Sequence, residues 1–218
     1  MRARHPFVVL EGLSGSGKTT IGHLLAERLG ARFYSTPPEA YRRVRHEIDA
    51  ARVLPARYLF YLSALFHASR EIGELRASGP VVCDRWALTT ECFHRAAGLP
   101  IPFCHLDLPL EQPTLQVLIV PPEPERIVRL VSRGLSVNDQ WERSGHIERR
   151  LLAQYRRHNL VEVGNGSLDP ADAVQAVLDL LNDKSGKTPR RCRPWGSAVP
   201  RTDARRQVLD AQRITGIG

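Results

Sequence analysis

The chain has 218 residues and 42% hydrophobic content, a length and composition that suit one sizeable α/β domain rather than two. No run of about 18 apolar residues occurs, so a membrane-spanning helix is not expected. The net charge of +8 is uneven: from position 183 onward nine Lys and Arg face three Asp, which leaves only +2 for the first 182 residues and gives no global signature of a nucleic-acid-binding domain.

In chain order, Phe7, Val8, Val9 and Leu10 form a short apolar run that predicts a buried strand. Gly12, Leu13, Ser14, Gly15, Ser16, Gly17, Lys18 and Thr19 follow, with Thr20 behind them. The spacing Gly12-x4-Gly17-Lys18-Thr19 is that of a phosphate-binding loop. Ile21, Leu24, Leu25 and Leu29 then recur at helical spacing, and Gly30 marks a stop. Strand, glycine loop and helix thus arrive in the order that phosphate binding requires. Glycines let consecutive backbone N–H groups curl around an anion, and the helix N-terminus adds its positive end. Lys18 supplies a point charge for the β- and γ-phosphates, and Thr19 offers a hydroxyl to Mg²⁺.

Residues 32–34 predict a second strand that enters the proline-rich loop Ser35-Thr36-Pro37-Pro38-Glu39. A polar helix is expected over 41–51. Pro55 suits the first turn of a long helix over about 56–77, with Leu59, Leu62, Phe66, Ile72 and Leu75 as its core face. Residues 81–83 predict a compact strand ending in Asp84-Arg85-Trp86, then a helix over 89–97 and an irregular stretch to Pro113. A strand over 115–120, helices over 123–133 and 140–158, a last strand over 161–163 and a helix started by Asp169-Pro170 complete the domain, 1–182. Strands alternating with helices imply a parallel sheet with ligands at its carboxyl end. The tail, 183–218, is rich in Pro, Gly, Ser and Arg; it reads as a loosely attached, solvated extension rather than a nucleic-acid arm.

Asp84 ends an apolar strand, the place where a carboxylate holds Mg²⁺ or its water. Arg85, one residue on, is suited to grip an acceptor phosphate with two parallel hydrogen bonds. Cys83, Cys92, Cys104 and Cys192 are widely spaced, and neither Cys92-x-His94 nor Cys104-His105 fits a common zinc pattern, so reduced thiols are expected. The N-terminal segment lacks the apolar core of a signal peptide, so a cytoplasmic location is expected.

Taken together, EGLSGSGKTT, VVCDRW, TLQVLIVPPEPE and SRGLSVNDQWE resemble the motifs of thymidylate kinases, in order and spacing, from about Phe7 to Leu181. The resemblance implies a P-loop NTPase fold with a five-stranded parallel sheet flanked by helices and a helical lid. It implies ATP with Mg²⁺ as donor, a nucleoside monophosphate as acceptor, and frequent homodimers. Position by position, it implies donor binding by Lys18 and Thr19, a carboxylate near the metal at Asp84, and acceptor-phosphate binding by Arg85. Asp139 and Glu142 match the lid's D-x-x-E, and Arg133 the arginine before the lid glycine. Where such lids place an arginine after the aspartate, this chain has Gln140, and Arg143 is the candidate substitute. Arg129, Arg133 and Arg143 also fit a solvated basic helix face.

The departures fall on the acceptor side. Ser14 stands where the family has an aspartate, Ser35-Thr36-Pro37-Pro38 replaces R-E-P-G, and the long helix lacks the expected arginine near Ser63. Acceptor-side candidates are Ser14, Glu39, Phe60 and Arg85; Phe60, Tyr61 and Phe66 offer faces for a planar base. The leading expectation is a kinase of dTMP or a related pyrimidine nucleotide. The alternatives are a kinase of a nucleoside or other small metabolite, and a non-catalytic ATP-binding module.

Overall fold

The computed structural model describes residues 4–101, 107–144, 147–166 and 169–183. Expectations for the tail from residue 184, and for Cys104 and Cys192, lie outside the described residues. Strands β1 (Phe7–Glu11), β2 (Arg32–Ser35), β3 (Val81–Asp84), β4 (Leu115–Val120) and β5 (Val161–Gly164) form one parallel sheet in the order β2-β3-β1-β4-β5. The register pairs Leu10 with Asp84 on one side of β1 and with Val117 on the other. From β1 the chain goes to one side for β2 and β3, then crosses to the other for β4 and β5. The loops above β1 therefore part in opposite directions and leave a crevice at the carboxyl ends of the strands.

Helices α1 (Lys18–Leu29), α2 (Glu39–Ala51), α3 (Leu54–Leu75), α4 (Ala87–Ala96), α5 (Glu123–Arg133), α6 (Val137–Arg143), α7 (Ile147–Arg156) and α8 (Pro170–Asn182) surround the sheet. β1 and β3 are buried along their whole length, so they read as continuous apolar runs rather than alternating ones. The period of two still sorts their side chains. Val8 and Leu10 pack with Ile21 and Leu25 of α1 and Val174 and Val177 of α8. Phe7 and Val9 face the other way, onto Leu65, Ala68 and Ile72 of α3. A third cluster joins Leu13 and Leu118 to Cys92 and Phe93 of α4, Trp141 of α6 and Leu151 and Tyr155 of α7. Among the described residues no helix is long and apolar enough to cross a membrane.

Two expectations change. The helix expected over 140–158 is two helices. Ser136 starts α6 with a reciprocal cap, its hydroxyl accepting from the Asp139 N–H while Asp139 accepts from the Ser136 N–H. Ser144 ends α6 with an extended backbone, ψ 122°, and its hydroxyl donates to the Trp141 carbonyl at 2.6 Å. The core face of α3 is also rotated. Leu59 is 62% and Phe66 40% exposed, whereas Arg57, Tyr58, Ala64, Leu65, Ala68 and Ile72 are buried. α3 packs against both α2 and α4 as well as the sheet, so a polar network around Arg57 takes positions that hydrophobicity alone would give to Leu59.

Candidate active site

The site starts from the turn between β1 and α1. Gly12 and Gly17 have φ of +143° and +88°, values that an L side chain rarely adopts. A Cβ on Gly12 would lie 2.6 Å from the Ile119 carbonyl oxygen, and one on Gly17 2.2 Å from Asn165 Nδ2. Gly17 is the N-cap of α1; that end has no side-chain cap and no acidic residue in its first turn. The helix therefore presents its positive end to the crevice with no acidic side chain of its own first turn to offset it.

The loop is held from three directions. Ser14 donates its N–H and its hydroxyl to the two Glu142 carboxylate oxygens at 2.6 and 3.0 Å. Arg126 Nη1 donates to the Ser14 carbonyl at 3.0 Å, and its guanidinium also pairs with Glu123 and Glu148. Asn165 Nδ2 donates to the Ser16 carbonyl at 2.7 Å. A loop fixed by buried hydrogen bonds need not reorganise to receive phosphate, which is how preorganised sites gain their electrostatic advantage.

Lys18 is 5% exposed, and its Nζ donates to Leu13 O at 2.8 Å and Ser16 Oγ at 3.0 Å. Burial pulls its pKa down to about 7; Arg85 pushes the same way, and Asp84, Glu142 and Glu11 only partly oppose them. Thr19 donates its hydroxyl to Asp84 Oδ2 at 2.5 Å, while Asp84 Oδ1 is buried without a hydrogen-bond partner. An orphaned buried carboxylate oxygen is costly unless something positive meets it. Mg²⁺ takes oxygen donors, keeps several waters, and needs only one or two protein ligands beside substrate phosphates. Thr19 and Asp84 fit that requirement. Among the described residues no cluster of three or more His, Cys, Asp or Glu forms a cage that would hold a metal by itself.

Arg85 follows Asp84 with φ +69°, a strained value for a side-chain-bearing residue. The strain is held in place by its N–H donating to Leu10 O at 3.0 Å and its carbonyl accepting from Thr36 Oγ1 at 3.1 Å. Its guanidinium donates to Gly12 O at 3.1 Å and Ser14 Oγ at 3.2 Å. Burial works against its charge, but Tyr155, Glu142, Asp84 and Glu11 together outweigh burial, and the net shift of its pKa is upward. Beneath it, fully buried Glu11 accepts from the Trp86 N–H at 3.2 Å, from Gln116 Nε2 at 3.0 Å and from the Thr89 hydroxyl. Burial raises the Glu11 pKa, partly offset by Thr89 and Arg85.

These groups meet in a cavity of about 660 Å³. Loop residues, Asp84 and Arg85 form its floor; α2 walls one side, and α5 with the start of α6 the other. Of the site residues read from the sequence, Ser14, Gly15, Gly17, Lys18, Thr19, Thr20, Asp84, Arg85 and Arg133 line it. Gly12, Leu13 and Ser16 lie behind that lining and shape the loop. Arg133 is half-exposed and pairs with Asp139 at 3.0 Å.

Three candidates lie elsewhere. Arg143 is outside the lining, and its charge acts on Glu123; on α6 its neighbour Glu142 takes the face toward the loop. Glu39 is exposed on the first turn of α2 and pairs with Arg42. Phe60 is also outside the lining and packs edge-on against Tyr41 and Tyr61, at ring-centroid distances of 5.5 and 5.3 Å.

Other site residues escape a reading by motif. Arg57, buried in α3, donates to Asp49 at 2.8 Å and Asn138 at 2.7 Å and reaches His94 Nε2 at 3.1 Å. Its guanidinium lies 4.1 Å from the Phe93 ring centroid and 4.6 Å from that of Tyr61. Arginine has only donors, so His94 Nε2 accepts and its Nδ1–H donates to the Thr90 carbonyl at 2.6 Å. Burial, followed by Arg57, pushes the His94 pKa down to about 3, consistent with this neutral tautomer. The network borders a second cavity of about 40 Å³ that shares Thr36, Arg45, Arg85 and Asn138 with the first. No local signal marks these residues, because they converge from α2, α3, α4 and α6. Glu11 did carry one: a charge closing an otherwise apolar strand.

A family model described as an AAA domain matches residues 7–169. A probable thymidylate kinase of Methanococcus maripaludis (strain C6) is 28% identical over 141 residues, 62% of this chain and 70% of that protein. One of Pyrococcus horikoshii is 25% identical over 196 residues, 81% of this chain and 92% of its own length. Among solved structures, thymidylate kinase from Candida albicans superposes with a TM-score of 0.62 at 14% identity, covering 83% of this chain and 92% of that one. Deoxyadenosine kinase from M. mycoides gives 0.58 at 15% identity, with 82% and 100% covered. At these identities the structural likeness is one of fold.

Proposed function

The chain belongs to the AAA domain family, and from that premise we propose that it is a nucleoside monophosphate kinase transferring the γ-phosphoryl group of ATP to dTMP or a related pyrimidine nucleotide. The observation that carries this reading is the meeting of a donor apparatus and an acceptor cation in one cavity: Lys18 and the Thr19–Asp84 pair with Arg85 beside them. The thymidylate kinases among its relatives support the same reading.

Phosphoryl transfer asks a protein for positioning and charge rather than covalent chemistry. The loop N–H groups and the open end of α1 bind the donor phosphates. Lys18 exchanges its contacts with Leu13 and Ser16 for phosphate oxygens and regains full charge there. Thr19 and Asp84 would hold Mg²⁺, which would supply neutralisation of the charge that develops on the transferring group. Arg85 turns its fork from Gly12 O and Ser14 Oγ to the acceptor phosphate. Arg133, at the end of α5 and half-exposed, lines the cavity together with Arg129, and these two arginines of α5 are placed to approach the moving phosphoryl group.

Arg85→Ala tests the assignment. Loss of a charge-assisted fork costs on the order of 2–4 kcal/mol, or roughly thirty- to a thousandfold in kcat/KM for the acceptor. The KM for ATP should move little, and Arg85→Lys should recover only part of the loss. Faster turnover of nucleosides than of monophosphates, with Arg85→Ala nearly silent, would overturn the proposal in favour of a nucleoside kinase.

A further inference from the structure

α2 turns one face into the cavity. Arg42, Arg45, His46 and Asp49, spaced i, i+3, i+4 and i+7, all line it. Apart from Asp49, α2 has no fully buried residue, so apolar packing does little to explain the helix. The face sets two permanent cations, Arg42 and Arg45, one helical turn apart, where like charges do not stabilise a helix. The one carboxylate in the stripe, Asp49, is shared: Arg57 holds it at 2.8 Å, and Arg45 reaches its other oxygen at 3.4 Å. Arg42 pairs with Glu39 at 2.8 Å, but both side chains are at least half-exposed and such pairs contribute little. Arg45 donates from Nε to the Tyr61 hydroxyl at 3.0 Å and to Asp49 at 3.4 Å, and it is 40% exposed, so these contacts orient it and leave its Nη groups outside both of them.

Across the cavity the strand ends are poor in cations. Ser35, the last residue of β2, and Thr36 after it line the cavity without charge, and Pro37 and Pro38 follow. Arg85 is thus the only cation that the loops after β2 and β3 bring to this side.

We propose that Arg42, Arg45 and His46 form the second half of an acceptor-phosphate clamp, closing from α2 on the phosphate monoester that Arg85 binds from the end of β3. The clamp makes a dianionic acceptor obligatory and compensates for the uncharged segment after β2. It rests on the monophosphate-kinase reading, and it assigns a task to a helix that sequence motifs leave unexplained.

The test compares dTMP, dUMP, dCMP and dAMP with the matching nucleosides, using the full chain, ATP–Mg²⁺ and the variants Arg42→Ala, Arg45→Ala and the double variant. Each single variant should lower kcat/KM for the preferred monophosphate about ten- to a hundredfold while the ATP KM stays within about twofold. Arg45→Lys should recover part of the loss. Calorimetric binding of that monophosphate and its nucleoside, without ATP, supplies a readout independent of turnover. The wild-type preference for the monophosphate should shrink at least tenfold in the double variant, and its salt dependence should flatten. Unchanged thermal midpoints establish that the variants are folded. If Arg85→Ala removes the preference and the folded double variant keeps it, the α2 clamp is wrong and the kinase reading stands. If wild-type protein prefers nucleosides throughout, the monophosphate reading fails and the clamp fails with it.

Discussion

Binding of a nucleotide to the loop should draw a proton from solvent, and Lys18 sets how much. In the free protein its Nζ faces Leu13 O at 2.8 Å and Ser16 Oγ at 3.0 Å, both neutral groups. Burial, then Arg85, pulls its pKa from 10.5 to about 7. At pH 8 such a group is charged in about one molecule in eleven. A phosphate beside it favours the ammonium and returns the pKa toward the ordinary lysine range, where the group is almost fully charged at pH 8. The uptake is therefore about 0.9 proton per site at pH 8, about 0.5 at pH 7 and about 0.1 at pH 6. Calorimetric titration with ADP–Mg²⁺ in HEPES, Tricine and Tris at pH 8 measures it directly, as the slope of binding enthalpy against buffer ionisation enthalpy. ADP is itself deprotonated at that pH. Lys18→Met should abolish the slope. Arg85→Ala, which removes the second-largest cause of the depression, should reduce it. The same shift has a stability sign. Between pH 7 and 10.5 the unfolded chain holds more protons on Lys18 than the folded one, so this group's contribution to stability rises with pH across that window. A buffer-independent enthalpy at pH 8, or an equal slope in Lys18→Met, would refute the reasoning.

Three further outcomes are expected. Asp84→Asn should lower turnover on the order of a hundred- to a thousandfold with little change in the thermal midpoint, because Thr19 can still donate to the amide oxygen while the anionic Oδ1 is lost; steady-state kinetics and melting curves check both halves. Gly17→Ala should greatly weaken ADP binding, and adding Asn165→Ala should recover part of it by removing the 2.2 Å clash, though not the strain of φ +88°; equilibrium binding of both variants measures the recovery. His94, held near pKa 3 in the folded protein against 6.5 in the unfolded chain, contributes stability present above pH 6.5 and lost as pH falls below it. By pH 5 that loss is about 2 kcal/mol, and urea denaturation at pH 7.5 and 5 should show a smaller acid loss in His94→Gln.

Local chemistry explains why part of this site is legible in the chain. The loop from Gly12 to Thr19 announces itself because backbone N–H groups must approach phosphate, and only glycine permits φ of +143° and +88° there. Asp84 and Arg85 are legible because an apolar strand that ends in charge has one place to deliver it, the carboxyl end of the sheet. The errors have physical causes as well. Leu59 and Phe66 suit a core face by hydrophobicity, yet α3 turns Ala64, Leu65 and Ala68 inward because it must also bury Arg57. The 140–158 segment has no proline to break it, and its division comes at Ser144, whose extended backbone ends α6, with Trp141 and Leu151 packing into one cluster from two helices.

What the sequence determines by itself, then, is everything carried by neighbours along the chain: strand, loop and helix periods, the phosphate-binding spacing, and the charges that end strands. The tertiary structure alone decides which distant groups share a dry space. It brings Glu142 to the Ser14 amide across 128 positions and Asn165 to the Ser16 carbonyl across 149. It lowers the Lys18 pKa through burial and the charge of Arg85, and it aims the basic face of α2 at the same cavity. Desolvation and charge–charge interaction depend on distance and surroundings in space, and neither is encoded in the spacing of residues along a chain.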